Sequence, residues 1–493
     1  MTLAALLEAD AVRAAREALG DREAWIVGGA VRDALLGRPI VDVDIAVAES
    51  PEDAARAIAR AGRGPAFRLS EEFGAWRALS RPAPDATRWV CDVSPLQGAT
   101  IEEDLARRDF AINAMAVPLA GAAAGGGAAA GGGTGGEPDA LIDPLGGAAD
   151  IESGTLRVLP GAYEADALRP LRLVRLATEL GFGPDSATEE ATRAAAARVP
   201  EASPERVHAE LKRTLVAAGA VGGVELADRL GVLGAVLPEL SELHGVEQSR
   251  YHHLDVFGHT VEVLERQIEI ETDPAAVFGE ELGPRIDAEL RRPLAEDLDA
   301  WQALRYAALL HDVAKPQTRG VLPDGRVTFM GHHELGVEMI DAICSRLRTS
   351  EKLRSFLGAV TRHHLVLGFL VHERPLSRGL VYRYMKTCSP VELEVTVHTC
   401  ADRMATRGVR ADEAIALHLE LARELAAEAL AWRERPPQPP LRGDELAREL
   451  SIPPGPEIGA LLARLEEAAF AGEAGTRDEA LALARRLREN PEP

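Results

Sequence analysis

Two short segments near the N-terminus, Gly28-Gly29-Ala30-Val31-Arg32-Asp33 and Val41-Asp42-Val43-Asp44-Ile45-Ala46-Val47, constrain this chain more than any other part of it. The run Ala24 to Gly29 reads as a short apolar strand ending in two glycines, and Ala30 to Leu36 as the first turns of a helix. That order leaves bare backbone N–H groups where a polyphosphate can approach, and Arg32 adds a cation for it. From Ile40 to Val47 apolar residues alternate with others, and strand side chains repeat every second position, so Asp42 and Asp44 project from one face. Two carboxylates so placed can share divalent cations. Either motif alone could be an ordinary turn or a solvated strand face; their order and close spacing together point to phosphate and metal chemistry.

A chain of 493 residues has the length for three or four domains with proper cores. It has no apolar run long enough to span a membrane, and Thr2 to Leu19 reads as an amphipathic helix rather than a leader, so a soluble cytoplasmic protein is expected. The four cysteines, Cys91, Cys344, Cys388 and Cys400, show no paired metal spacing and read as reduced and structural. A net charge of -23 argues against a chain that coats nucleic acid nonspecifically, while leaving room for RNA recognition by a local basic cluster. Arginine far outnumbers lysine, and its planar fork suits phosphates and base edges.

To about Pro118, short β-like runs (Trp25 to Val27, Val41 to Val47, Trp76 to Leu79, Trp89 to Val93) mix with helices such as Pro51 to Ala61, which predicts an α+β domain. The segment Gly121 to Asp139 has nothing to bury and reads as a flexible loop that interrupts this domain; ordered-looking sequence resumes at Leu141 to Gly147. From Asp166 onward the pattern is almost wholly helical, with Arg169, Arg172 and Arg175 at steps of three along one side of a helix. The acidic, proline-containing stretch around Glu269 to Asp299 reads as an exposed insertion, and Arg435 to Pro440 as a linker to a small helical C-terminal piece.

The set GGAVRD, DVD, Glu102 to Ala116 (EEDLARRDFAINAMA) and Leu141 to Ile151 (LIDPLGGAADI) resembles the head of bacterial class II CCA-adding enzymes and poly(A) polymerases, members of the polymerase β-like nucleotidyltransferases. The resemblance implies a head with a small mixed sheet followed by an all-α neck. It implies that Gly28, Gly29 and Arg32 contact the triphosphate and that Asp42 and Asp44 hold Mg²⁺. Two ions about 3.5 to 4 Å apart would activate a terminal RNA hydroxyl and stabilise the departing pyrophosphate. Asp92, on the strand-like Trp89 to Val93, is a candidate third carboxylate, and Arg107, Arg108 and Asp109 a second phosphate or ribose contact, with a charged helix cap as their plainer reading. Asp143 with Gly146 and Gly147 reads as a turn that lets the head move.

In this family an Asp and an Arg at the positions of Asp166 and Arg169 read the incoming base, with Arg172 and Arg175 continuing the row. Cytosine and adenine each present an amino donor beside a ring-nitrogen acceptor, which an acceptor from Asp166 and a donor from Arg169 match; uracil and guanine reverse the pattern. The usual Glu-Asp-Pro-Leu-Arg appears here as Ala165-Asp166-Ala167-Leu168-Arg169 with Pro170 following, which predicts a helix that starts later than usual. The plainer reading of the arginine row is a solvated helix face. Ser203 to Leu211 resembles a neck motif whose Arg206 and Glu210 are structural.

A second constellation, His259, His311-Asp312, His332, His364 and Asp402, resembles the HD metal-dependent phosphohydrolases, in which imidazole and carboxylate ligands hold a divalent transition metal whose bound water is the nucleophile. His252, His253, His333, His363 and His372 read as packing or support. The tail Leu441 to Glu467 resembles the C-terminal helices of HD-containing members.

The resemblance implies four regions: a head over 1–160 with its Gly-rich loop at 120–138, a base- and RNA-binding neck over 161–240, an HD domain over 241–410 and a helical tail over 411–493. It also implies addition of C and A to the tRNA 3′ end from CTP and ATP, with no membrane partner. The alternatives are a poly(A) polymerase or an enzyme adding only A or only CC, and an HD phosphohydrolase whose head merely binds nucleotide. A noncatalytic RNA-binding factor fits poorly with the acidic balance and the absence of an aromatic stacking surface. The sequence carries no reading of oligomeric state.

Overall fold

The computed structural model describes residues 3–40, 42–71, 74–81, 88–120, 141–453 and 455–489, so Val41 and the Gly-rich segment Gly121 to Asp139 lie outside the described residues. The chain forms two compact units, Met1–Ser203 with Leu230–Val232, and Pro204–Arg229 with Leu233–Pro493. It is a mostly helical α+β protein, and among the described residues the one large sheet lies in the first unit.

That sheet has six strands: β1 (Ala24–Val27), β2 (Asp42–Val47), β3 (Ala66–Arg68), β4 (Trp76–Leu79), β5 (Val90–Pro95) and β6 (Ala116–Pro118), in the order β3-β4-β5-β2-β1-β6. β2 and β5 pair in parallel and the other neighbours are antiparallel. Strand alternation sorts the core into two faces. Ile26, Val43, Ile45 and Val47 share one apolar cluster with residues of the helices Asp10–Leu19 and Pro51–Ala61, while Trp25, Val27 and Ala46 join Leu105, Ala111 and Ala116 on the other. Asp42 and Asp44 belong to this second face, beyond the cover that ends at Ala46, and both are exposed.

The helix Pro51–Ala61 begins where its signals place it, with Ser50 accepting from Asp53 N and Pro51 in the first turn. The single N-terminal helix expected over Thr2 to Leu19 is instead two, Leu3–Leu7 and Asp10–Leu19, because the chain leaves helical geometry at Ala9 (φ -61, ψ 136). Strands β3 and β6 are too short to announce themselves in the sequence.

In the second unit the helix Ala300–Leu310 is central: all of its residues but Gln302 are buried, and Asp299 with Gln302 forms a capping box at its start. The stretch Glu269 to Asp299 is not an exposed insertion. It completes the helix Val256–Thr272, forms a kinked helix Pro274–Leu290 and closes with a short ribbon. Val277, Phe278, Ile286 and Leu290 are buried, and Trp301 Nε1 donates to Asp287. Its acids gave it a solvated composition, while its larger apolar residues are buried or half-buried. The tail helices Gly443–Leu450, Pro456–Ala471 and Arg477–Glu489 enclose their own cluster around Leu446, Leu461, Leu465 and Leu481. All four cysteines are buried and free, and among the described residues no helix is long and apolar enough to cross a membrane.

One buried ion cluster ties the long helix Ala411–Glu434 to its neighbour: Arg433 donates to Glu392 at 2.8 Å and to Glu394, whose side chains are almost fully enclosed. Removing the cation would strand two buried carboxylates, so Arg433→Ala is expected to destabilise this unit by about 3 kcal/mol. Adding Glu392→Gln and Glu394→Gln should recover part of the loss in a thermal melt followed by circular dichroism.

Candidate functional site

The head site is built by strand register. β2 and β5 pair in parallel with Asp44 opposite Asp92, and a parallel pair keeps opposite residues on the same face, so Asp42, Asp44 and Asp92 form one acidic patch. The end of β1 brings Gly28 beside it. A Cβ at Gly28 would lie 2.9 Å from Arg108 Nη1 and 3.5 Å from Asp44 Oδ2, and the residue has φ +74, so this turn admits only glycine without strain. Gly29 starts the helix Gly29–Leu36, which directs Arg32 back toward the site.

Asp44 is open to solvent on one side while protein crowds it on the others, as at the floor of a cleft. That loss of water pushes its carboxyl up to about 6; Arg108 and Arg172 oppose the shift, and the charges of Asp92 and Asp42 add to it. Asp92 has its own cation, Arg77 across β4 and β5, which donates to both carboxylate oxygens at 2.7 and 2.8 Å. Arg108 is held through Nε and Nη2 by Asp104 at 3.1 and 3.0 Å, and Asp104 also caps Gln97 N.

Asp109 is the buried hub of the cationic side. Its Oδ1 accepts from Phe110 N and from Asn113 Nδ2, and its Oδ2 from Arg172 Nη1 at 3.1 Å. Asn113 Oδ1 in turn accepts from Arg32 Nη1 at 2.6 Å. Burial alone would raise the Asp109 carboxyl, yet Arg172, Asn113 and Arg169 together hold it below the ordinary value. One chain of contacts thus joins Arg32 of the glycine turn to Arg172 on the helix Arg169–Leu180.

That helix begins at Arg169 with Pro170 in its first turn, the late start expected from the altered motif. Asp166 Oδ1 accepts from Leu168 N. Arg169 donates to the carbonyl oxygens of Arg108 and Ala162 at 3.1 Å and of Arg107 at 3.2 Å, which fastens the helix to the Arg107–Asp109 segment. Three-residue steps fall about 60° short of a full turn each, so the arginine row drifts round the helix. Arg175 accordingly lies buried beside Glu179, at 2.6 Å, and Arg172 beside Asp109. Asp143 caps Gly147 N and Ala148 N, and Gly147 sits where a Cβ would come within 2.3 Å of Ala111 O, so this turn is pinned against the segment that follows Asp109.

In the second unit all six residues expected to bind metal converge. His259 comes from the helix Val256–Thr272, His311 and Asp312 from the end of Ala300–Leu310, His332 from the start of His332–Leu347, His364 from the end of Glu351–His363, and Asp402 from Glu392–Met404. His259 Nε2 lies 3.1 Å from Asp402 Oδ1, and His311 Nε2 3.1 Å from Asp312 Oδ2. His259 is fully buried with no hydrogen bond of good geometry at either ring nitrogen, and the same holds for Asp312 Oδ1, while Asp312 Oδ2 is met by the Lys315 ammonium. Donors so enclosed fit a cation that supplies the missing partner. The cluster floors a cavity of about 470 Å³ with Lys315 and Arg403 at its side and apolar walls that include Phe329 and Leu417. His252 and His372 also line it, the His252 ring 5.0 Å from that of His259. His253 pairs with Glu262 at 3.4 Å.

Sequence reasoning passed over Asn113, Arg77, Lys315 and His398. Asn113 stands four residues after Asp109, a spacing that could have suggested the contact. Lys315 stands three after Asp312 and ion-pairs with it at 2.6 Å. His398 is buried 5.0 Å, ring to ring, from His311, with neither ring nitrogen hydrogen-bonded. Arg77 carries no local signal, since its partner lies on another strand.

Residues 24–157 match the poly A polymerase head domain, 181–243 the probable RNA and SrmB-binding site of polymerase A, and 275–406 the HD domain. The chain is 34% identical to the A-adding tRNA nucleotidyltransferase of Deinococcus radiodurans, over 94% of its own length and 96% of the relative's. It is 33% identical to the CC-adding tRNA nucleotidyltransferase of Thermus thermophilus, over 94% and 93%. A multifunctional CCA protein of Paracidovorax citrulli is 31% identical over 74% of this chain and 78% of that one. In fold the chain is similar to the Thermotoga maritima CCA-adding enzyme complexed with tRNA (TM-score 0.62, 19% identity, 99% and 98% of the two chains). It is also similar to a CCA-adding enzyme complexed with CTP (TM-score 0.64, 18% identity, 99% of each).

The raised Asp44 carboxyl sets a pH dependence. Below about 6 the metal-free head keeps Asp44 neutral, and a proton must leave before a cation can bind, so apparent Mn²⁺ affinity should fall about tenfold per pH unit below that point and level off above it. Free Mn²⁺ counted by electron paramagnetic resonance during titration checks this; an affinity constant from about pH 5 to 7 contradicts it.

Proposed function

The chain belongs to the class II tRNA nucleotidyltransferase and poly(A) polymerase head family, with RNA-binding neck and HD domain, and is a metal-dependent polymerase β-like enzyme; on that premise we propose that it adds C and A to the 3′ end of tRNA from CTP and ATP. The observation that carries the proposal is the meeting of Asp42, Asp44 and Asp92 on one open strand face beside Gly28 and Arg108. Mg²⁺ held by Asp42 and Asp44 would supply the activation of the terminal hydroxyl and the neutralisation of the leaving pyrophosphate.

The chain's own residues supply binding and orientation. Gly28 and Gly29 let the triphosphate come against the backbone at the start of the helix Gly29–Leu36, and Arg32 and Arg108 stand on either side of that turn. Asp109 and Asn113 fix Arg32 and Arg172 in position, and Arg107 extends the cationic edge. Asp166 and Arg169 would read the base as an acceptor and a donor side by side. To do so Arg169 exchanges its three backbone carbonyls for the base edge, a move that couples base choice to the Arg107–Asp109 segment.

The HD site, with its full ligand set and its cavity, supports a second activity, metal-dependent hydrolysis of a phosphate ester. The division into head, neck, HD domain and tail carries over from the sequence reading, and a cytoplasmic location goes with a tRNA substrate. A second reading of the head, addition of only A or only CC, has one observation in its favour: the two relatives above that match over nearly the whole chain are an A-adding and a CC-adding tRNA nucleotidyltransferase.

Transcripts of tRNA lacking the CCA end, or ending after one C, after CC and after CCA, each offered CTP, ATP or both, distinguish these readings. Stepwise completion to CCA supports the first, extension by only one nucleotide type the second, and runs of A on a finished end a poly(A) polymerase. Asp42→Ala and Asp44→Ala should each lower incorporation by at least about a thousandfold, the scale of removing essential metal ligands; substantial residual incorporation in both would overturn the assignment.

A further inference from the structure

Resting on the reading of the head as a site of nucleotidyl transfer to an RNA end, we propose that Arg77 and Phe67 guide the RNA strand to it. Arg77 holds a backbone phosphate, and Phe67 stacks on a base upstream of the terminal nucleotide. Both residues lie on one cross-strand row with the acids of the head. Val27 pairs with Asp44, Asp44 with Asp92, Asp92 with Arg77 and Arg77 with Phe67. Residues directly opposite one another on paired strands share a face, so the row runs unbroken across the face that carries Asp42 and Asp44. Neighbouring strands are about 4.8 Å apart, which sets Phe67 about 14 Å from Asp44, on the edge strand β3.

The direction of the reaction decides what passes over this row. In nucleotidyl transfer the attacking and leaving oxygens lie roughly in line across the phosphorus. The residues suited to the triphosphate, Gly28, Gly29, Arg32 and Arg108, gather at the end of β1, so pyrophosphate leaves on that side of Asp42 and Asp44. The hydroxyl must then arrive from the other side, where β5, β4 and β3 follow β2 in turn. A 3′ strand that ends at the acids from that side crosses Asp92, Arg77 and Phe67.

The side chains on this path match the chemistry of a single strand. Phe67 is 44% exposed, as is Leu69 two residues on, and among the described residues of the first unit these two are the exposed large hydrophobics. The intervening positions turn to the opposite face, where Trp76 packs against the core and Arg56 and Arg68 lie over its ring. An aromatic ring left in water on the approach to a reaction centre offers its face to a base. Arg77 spends Nε and Nη2 on Asp92 and leaves Nη1 for a further acceptor. It is also the cation that interrupts a row of carboxylates which would otherwise repel an RNA backbone.

The test uses the full-length protein and a tRNA transcript lacking its CCA end. Two quantities are measured: KM for the tRNA in incorporation at saturating CTP and ATP, and tRNA affinity by filter binding without nucleotide. Phe67→Ala should raise KM for tRNA and weaken its binding by about tenfold, with KM for CTP unchanged, and Phe67→Tyr should restore both, since stacking needs only the ring face. Arg77→Gln should weaken tRNA binding and lower the slope of log affinity against log salt by about 0.7, the share of one phosphate contact on a single strand. KM and affinity for tRNA that stay within about twofold of wild type in Phe67→Ala, or a loss that Phe67→Tyr does not restore, would overturn the proposal. A wild type that binds tRNA yet incorporates neither nucleotide would instead strike the nucleotidyl-transfer reading, and the binding measurement would still judge the contacts of Arg77 and Phe67.

Discussion

The head depends on one buried carboxylate. Asp109 is enclosed, yet each of its oxygens is used, one by Phe110 N and Asn113 and the other by Arg172. A buried charge is tolerable only when its partners are in place, so this residue dictates where they stand. Through Asn113 it sets Arg32 at the glycine turn, and through Arg172 it sets the first turns of the helix Arg169–Leu180. The proposed phosphate-binding edge and the proposed base-reading edge are thereby placed from a single point. Arg172 also acts on Asp44, whose carboxyl it helps to hold down against desolvation.

The two candidate metal centres differ in chemistry as well as place. In the head the candidate ligands are carboxylates on adjacent strands, open to solvent on one side, a hard oxygen site that would suit Mg²⁺ and leave it within reach of a triphosphate and an RNA end. In the HD unit the ligands are mainly imidazoles, enclosed and pre-oriented by backbone carbonyls. A rigid nitrogen-rich site retains its ions, while an open carboxylate site exchanges them with the nucleotide it binds.

Much of this was legible because periodicity and adjacency carry it. Strand alternation placed Asp42 and Asp44 on one face, Ser50 and Pro51 marked a helix start, and the six residues that cluster in the HD unit came in a recognisable order. Pro170 announced the late helix start that the structure has. What stayed hidden depends on register between segments far apart in sequence. Arg77 meets Asp92 only because β4 and β5 pair as they do, and two of the three carbonyls that occupy Arg169 belong to a segment about sixty residues away. Composition misled at Glu269 to Asp299, where six buried apolar residues outweigh the acids around them. The arginine row misled by its spacing, since three-residue steps drift and carry Arg175 to Glu179.

The account rests on Asp109 and Arg172 acting as one unit in nucleotidyl transfer. A double-mutant cycle on single-turnover incorporation, with Asp109→Asn, Arg172→Gln and the pair, measures that directly. Each single change should slow incorporation strongly, and the double variant should be no worse than the poorer single by more than a small factor, a coupling of at least about 1 kcal/mol. Losses that simply multiply would show the two residues acting independently and would contradict the account.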